Sequence, residues 1–148
     1  MKNIVEILIE KKLTLSCAES ITGGNLIGTL IKIPNASLVI KESFVVYSDE
    51  AKHEILNIPL EVIEKNGVVS REVARFMAKN LHEKTHADIA ISTTGYASGN
   101  FPHHAYVGIY YQGEIFLYHK DFNENQSREQ NIEELVQYII TLLPEIIV

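Results

Sequence analysis

The stretch from Ala18 to Gly24, which reads Ala-Glu-Ser-Ile-Thr-Gly-Gly, constrains this chain more than any other. It follows the apolar run Leu13 to Cys17 and precedes a helical pattern that begins near Asn25. A strand that ends at a serine presents the hydroxyl where open α/β sheets bind their ligands. The two glycines let backbone N–H groups approach an oxyanion or phosphate, and the helix N-terminus adds partial positive charge. The alternative is an ordinary strand–helix turn with Thr22 as its N-cap.

The rest of the chain alternates helical and strand patterns. Apolar periodicity predicts helices at about 2–12, 24–33, 48–57 and 60–65, a longer helix from Ser70, and a last helix at about 127–143. It predicts strands at 13–18, 37–47 and 87–92, and a hairpin of 106–111 with 114–119 around Gln112-Gly113. This order favours one α/β domain over 1–148: a three-layer α/β/α sandwich on a mixed, mostly parallel sheet. The hairpin makes one strand antiparallel to its neighbours.

Composition excludes several classes of function. The net charge of −6 disfavours a nucleic-acid-binding surface. No apolar run reaches the roughly 18 residues of a membrane span, and Glu6, Glu10 and Lys11 interrupt any signal-peptide core. A single cysteine, Cys17, excludes an intrachain disulfide framework and is expected to pack as a small core hydrophobe. We therefore expect a cytoplasmic protein without membrane or nucleic-acid partners.

A second polar element, Tyr47 to Lys52, begins at the end of a predicted strand. Ser48 is a candidate N-cap, so Lys52 falls in the first turns of the next helix. A lysine there opposes the helix dipole, and the same field lowers the pKa of its ammonium, as a general base requires. The alternative is a surface lysine paired with a neighbouring acid.

A third element is the Gly-, Ser- and Thr-rich stretch Thr93 to Asn100, which follows the strand at 87–92. As a loop its backbone can cradle phosphate, although a plain surface loop is the alternative. Together the three elements are compatible with a Ser20 nucleophile activated by Lys52, with Tyr47 as relay or orienter. The N–H groups after Ser20 are candidates for an oxyanion hole.

The histidines do not yield a metal site at this level. Neighbouring His103 and His104 point apart and are predicted in a loop, and no third ligand can be named for them. His82 and His86 share a helical face that is expected to be solvated. No metal or organic cofactor is therefore assigned.

Several elements, in order, resemble the CinA C-terminal domain family (competence/damage-inducible proteins), which includes nicotinamide-nucleotide amidases. The resemblance covers about 4–143 and rests on four motifs: Ala18-Glu19-Ser20-x-Thr22-Gly23-Gly24, Phe44 to Lys52, Gly67-Val68-Val69-Ser70 with Glu72-Val73-Ala74, and Ala87-Asp88-Ile89-Ala90 leading to Thr94-Gly95. It implies a three-layer α/β/α sandwich that hydrolyses the carboxamide of nicotinamide mononucleotide to nicotinate mononucleotide and ammonia.

The same resemblance implies the residue roles. The nucleophile corresponds to Ser20, and its partners to Tyr47 and Lys52. It also implies a homo-oligomer and a part in pyridine nucleotide salvage or in the competence and damage response. The residues expected to bind substrate are Glu19, Thr22, Gly23, Gly24, Thr94, Gly95, Ser98, Gly99 and Arg128.

Three departures from the family pattern lie near the substrate. Ile21 replaces a cysteine after the serine, and Tyr96 to Phe101 replaces a glycine-richer loop. The family's Gly-Asp/Asn-Arg element corresponds to 123–128, where Arg128 is the candidate substitute. These departures leave two alternatives: a binding or interaction module without this activity, and an amidase for a substrate that lacks phosphate.

Overall fold

The computed structural model describes residues 1–148 as a five-stranded sheet between two layers of helices. The helices are α1 (Ile4–Lys11), α2 (Asn25–Leu30), α3 (Asp49–Leu56), α4 (Leu60–Asn66), α5 (Arg71–Thr85) and α6 (Arg128–Ile146), and a single 3-10 turn covers Ala36–Leu38. The strands are β1 (Leu15–Glu19), β2 (Phe44–Val45), β3 (Ile89–Tyr96), β4 (His104–Tyr111) and β5 (Glu114–Asp121).

The strand order is β2-β1-β3-β4-β5. Strand β1 pairs in parallel with β2 and β3, whereas β4 is antiparallel to β3 and to β5. Four strands therefore run in one direction and β4 alone runs against them, which confirms the predicted α/β class and its mixed sheet. Glu19 lies opposite Thr93 in the register of β1 and β3, so the two strands end side by side.

Each face of the sheet has its own apolar core. Helices α1, α2 and α6 cover one face, where Leu15 and Cys17 are buried. Helices α3, α4 and α5 cover the other, where Ala18 and Ala90 are buried. The alternation of side chains along β1 supplies both cores, as expected for a strand in the middle of a sandwich.

Two predicted boundaries are wrong. The strand predicted at 87–92 continues to Tyr96, because Thr94, Gly95 and Tyr96 pair with β4. The β-rich stretch at 37–47, with a bend expected at Lys41-Glu42, is instead a 3-10 turn, an isolated bridge at Ile40 and the two-residue strand β2. In both places the extent of each strand depends on its pairing with a neighbouring strand, which the local sequence does not predict.

The described helices include none that is both long and apolar enough to cross a membrane.

Candidate active site

The parallel strands β1 and β3 deliver polar residues to one edge of the sheet. Ser20 directly follows β1, and its backbone N–H donates to the Thr93 carbonyl oxygen at 3.1 Å. On the other side, the Val46 N–H donates to the Glu19 carbonyl oxygen at 2.8 Å. The end of β1 is thus fixed between its two neighbours, which gives Ser20 a defined position at the carboxyl edge.

Ser20 and Lys52 lie in direct contact at this edge. The Nζ atom of Lys52 donates to the Ser20 Oγ atom at 3.0 Å and to the Val46 carbonyl oxygen at 2.9 Å. Lys52 reaches this position from the fourth residue of α3, whose start is fixed by the Ser48 hydroxyl accepting from the Ala51 N–H at 3.0 Å. The structure therefore brings together the two residues that a serine–lysine mechanism needs.

The Lys52 side chain lies inside the protein. It is only 1% exposed, and none of the ion pairs in the structure includes it. Burial lowers the pKa of its ammonium, and the Asp49 carboxylate opposes this shift. The alternative of a paired surface lysine is excluded, and burial is the main cause of the lowered pKa that helix position alone had suggested.

The Thr22-Gly23-Gly24 turn is organised by Glu19. Its carboxylate accepts the backbone N–H groups of Gly24, Leu26 and Ile27 at 3.2, 2.8 and 2.9 Å. Glu19 is 1% exposed, and its carboxylate occupies the free N–H groups at the N-terminus of α2. This terminus is not available to a substrate anion, and Glu19 rather than Thr22 supplies the capping interaction.

Two amide groups in the turn have no partner in the chain. The Gly23 N–H donates to the Ser20 carbonyl oxygen at 3.1 Å, and the Gly24 N–H is held by Glu19. The N–H groups of Ile21 and Thr22 form no hydrogen bond. Thr22 is fully buried, with its hydroxyl 2.9 Å from that of Thr93. The amides of this turn that lack a partner are therefore those directly after Ser20, not those of the glycines.

Tyr47 and Arg128 meet across the site. The Arg128 guanidinium donates to the Tyr47 hydroxyl at 2.6 Å and to the Ser98 hydroxyl at 2.9 Å. Tyr47 is 61% exposed, and its hydroxyl bonds neither Ser20 nor Lys52. In this arrangement Tyr47 orients Arg128, and its predicted part as a proton relay stays a prediction.

These side chains line one open cavity of about 230 Å³. Seven of the predicted residues face it: Ser20, Tyr47, Lys52, Thr94, Gly95, Ser98 and Arg128. Sequence reasoning did not assign the other lining residues to the site: Ile21, Asp49, Val68, Val69, Tyr96 and Ala97. Val68 and Val69 belong to the motif Gly67-Val68-Val69-Ser70, and this motif was the sequence signal that could have assigned them to the site. Asp49 contributes the only carboxylate of the cavity lining.

Two of the predicted substrate residues that line the cavity, Thr94 and Gly95, also hold the local structure in place. The Thr94 hydroxyl donates to the Val68 carbonyl oxygen at 2.7 Å, which ties the end of β3 to the loop before α5. At Gly95 a Cβ atom would stand 2.6 Å from the His104 carbonyl oxygen, so close packing of β4 requires this glycine. Gly99, at φ +102°, lies outside the cavity lining, as do Glu19, Gly23 and Gly24.

Three further expectations concern residues outside the cavity. Cys17 is fully buried, as predicted. The predicted solvated face at His82 is wrong, because its ring stacks on Tyr110 with a centroid separation of 3.7 Å. The loop predicted for His104 is also wrong, since this residue begins β4 and pairs with Tyr96.

Comparisons with known proteins agree on one family. A family model described as the CinA C-terminal domain matches residues 1–147. A relative from Alkaliphilus oremlandii, named as a competence-damage inducible protein, is 40% identical over 146 residues, which are 95% of this chain and 35% of that protein. A CinA-like protein from Dictyoglomus thermophilum is 41% identical over 118 residues, covering 76% of this chain and 29% of that protein. The chain thus spans about a third of the length of these relatives.

Solved structures of similar proteins have the same fold. The competence damage-inducible protein A of Klebsiella pneumoniae superposes with a TM-score of 0.91 at 26% identity, covering 96% of this chain and 91% of that one. The competence/damage inducible protein of Agrobacterium tumefaciens gives a TM-score of 0.90 at 25% identity, covering 96% and 90%.

Proposed function

The chain belongs to the CinA C-terminal domain family, and on that premise we propose that it is an amidohydrolase that converts nicotinamide mononucleotide to nicotinate mononucleotide and ammonia. The observation that carries the proposal is the 3.0 Å contact between the Ser20 Oγ atom and the Nζ atom of the buried Lys52. A lysine without a carboxylate partner, held against a serine in an open cavity, is an arrangement suited to activating a nucleophile.

Lys52 is the general base of the proposed reaction. As an ammonium it donates to Ser20; once it has lost its proton, the same contact carries the serine proton to Nζ. Burial lowers the pKa of Lys52 and so increases the neutral fraction near neutral pH. The second bond, to the Val46 carbonyl oxygen, keeps Nζ pointed at the serine in either state.

Acylation of Ser20 is the first chemical step of the proposed reaction. The Ser20 Oγ atom attacks the carboxamide carbon while Lys52 accepts the hydroxyl proton. The proposed donors to the tetrahedral oxyanion are the N–H groups of Ile21 and Thr22, which have no partner in the chain. Lys52 passes its proton to the amide nitrogen, the C–N bond breaks, and ammonia leaves an ester on Ser20.

Hydrolysis of the ester completes the cycle. Water attacks the acyl carbon, Lys52 accepts a proton from the water, and the ester C–O bond breaks. The proton returns from Lys52 to Ser20 Oγ, and the acid product leaves and gives its own proton to water, forming the carboxylate.

Arg128 is the proposed anchor for the substrate phosphate. It is the only arginine among the residues that line the cavity, and Glu19 already fills the N-terminus of α2. A guanidinium binds phosphate through paired N–H donors. Its present partners, the hydroxyls of Tyr47 and Ser98, are neutral groups that a phosphate can replace or supplement. Asp49 is the proposed partner of the cationic pyridinium ring.

Incubation with nicotinamide mononucleotide tests this proposal directly. We expect equal amounts of ammonia and nicotinate mononucleotide, measured by an ammonia-coupled assay and by chromatography. Nicotinamide riboside, which lacks the phosphate, is the matched substrate control. Turnover of the riboside alone would identify an amidase with a changed substrate, and binding without any product would favour the alternative of a binding module.

A further inference from the structure

Three potential metal ligands meet on the edge hairpin of the sheet. His104 begins β4, and His119 and Asp121 lie on β5. His104 pairs with Asp121 in the register, and Tyr106 pairs with His119. Because directly opposed residues share a face and every second residue of a strand returns to it, all three side chains project from the same face.

The ligand atoms are close enough to share one ion. The His104 Nδ1 and His119 Nε2 atoms are 2.8 Å apart, and His119 Nε2 lies 3.6 Å from the Asp121 Oδ1 atom. One ligand atom from each residue lies within 4.8 Å of the other two. Zinc–nitrogen bonds of about 2.0–2.1 Å place neighbouring ligand atoms about 2.9–3.4 Å apart. Small rotations of the side chains would bring the observed distances between the ligand atoms to the distances found around a bound zinc ion.

The two facing imidazole nitrogens suit a metal ion. A neutral imidazole is the form that ligates a metal. Two imidazole nitrogens facing each other can hold one hydrogen between them, and an ion can replace that hydrogen.

The surroundings fix one side of the cluster and leave the other open. The Tyr106 ring lies edge-on to His104 at 5.5 Å and beside His119 at 4.7 Å between centroids. Asp121 and His119 have side-chain exposures of 81% and 37%. The aromatic wall restrains the imidazoles, while the exposed side leaves room for water or an outside ligand.

We infer that His104, His119 and Asp121 form a binding site for Zn²⁺, with the remaining coordination positions open to water. Two imidazoles and one carboxylate match the preferences of zinc, whereas Mg²⁺ and Ca²⁺ favour all-oxygen sites. The ring of Tyr96, which lines the Ser20 cavity, lies 6.2 Å from the His104 ring. The zinc site therefore adjoins the wall of the proposed active site without sharing a residue with it.

Calorimetric titration of the tag-free, chelator-treated protein with Zn²⁺ tests the site. We expect one equivalent per chain with a micromolar dissociation constant, and weakening of at least tenfold in His119→Gln and in Asp121→Asn. His86→Asn is the control variant, because it removes an exposed imidazole that lies outside the cluster. Asparagine tolerates the left-handed backbone conformation of this position, so the variant should fold and bind zinc like the wild type.

A second measurement separates ligation from general damage to the fold. Both ligand variants alter exposed side chains and should melt within a few degrees of the wild type in the absence of metal. Cobalt(II) should give visible absorption bands in the wild type and lose them in His119→Gln. No binding at 100 µM metal, or zinc binding that both ligand variants leave unchanged, would overturn the assignment.

Discussion

The Nζ atom of Lys52 lies 3.0 Å from the Oγ atom of Ser20, although the two residues are 32 positions apart in the chain. The contact joins the end of β1 to the first turns of α3, and the Val46 carbonyl oxygen holds Nζ from a second direction. Because the ammonium is buried and lacks a carboxylate partner, the arrangement is costly for stability; in the proposed mechanism it serves proton transfer.

The first prediction concerns the pH dependence of amide hydrolysis. Only neutral Lys52 can accept the serine proton, so kcat/KM should rise tenfold per pH unit until the lowered pKa of Lys52 is passed, and then level off below the ordinary pKa of lysine. In Lys52→Met this rising limb should disappear along with most of the activity. A limb that persists in the variant would assign the base to another group.

The second prediction concerns stability. Folded Lys52 binds its proton less tightly than unfolded Lys52, so between the two pKa values the unfolded chain holds more protons. The free energy of unfolding of the wild type should therefore rise with pH relative to Lys52→Met, by at most about 1.4 kcal/mol per pH unit. Below the lowered pKa of folded Lys52, where the lysine is charged in both states, the difference should be constant. Urea titrations of both proteins from neutral to alkaline pH measure this; parallel curves throughout would show that burial does not shift the pKa.

The third prediction concerns Glu19, whose carboxylate accepts three backbone N–H groups at the start of α2. Glu19→Gln replaces one accepting oxygen with an amide donor and should lower the free energy of unfolding by about 1–3 kcal/mol. The exposed Glu54 offers a matched control, since Glu54→Gln should change stability by less than about 0.5 kcal/mol. Equal, small effects in urea denaturation would show that the Glu19 cap is not important to the fold.

The fourth prediction concerns Arg128. If it binds phosphate, Arg128→Ala should raise KM for nicotinamide mononucleotide at least tenfold while leaving turnover of nicotinamide riboside little changed. The exposed Arg75 on α5, outside the cavity lining, provides the control variant Arg75→Ala. An equal loss for both substrates would indicate that Arg128 supports the structure of the site and does not recognise phosphate.

The sequence was informative where local pattern decides the outcome. The serine at the end of an apolar run and the Ser48 N-cap place Ser20 and Lys52 on the correct elements. Parallel strands end at one edge, so the approach of the Thr94 region to Ser20 also follows from the predicted fold.

The rest depends on tertiary packing. The Glu19 carboxylate turns inward to cap α2, and no pattern within Ala18 to Gly24 distinguishes this from a substrate contact. The extension of β3 to Tyr96 depends on its pairing with β4, and the meeting of His104 with His119 depends on the register of the hairpin. The turn Gln112-Gly113 was identified correctly, but the lengths of its strands were underestimated.

The rate of ammonia release from nicotinamide mononucleotide in Ser20→Ala tests the central claim most directly. Ser16→Ala is the matched control, because Ser16 is a buried serine on β1, the strand that leads to Ser20. Its hydroxyl has no hydrogen-bond partner, and the residue does not line the cavity. We predict that Ser20→Ala loses about a thousandfold or more of the activity while Ser16→Ala retains it. Equal rates in the wild type and Ser20→Ala, or no ammonia from either, would contradict the assignment of Ser20 as the nucleophile of an amidohydrolase.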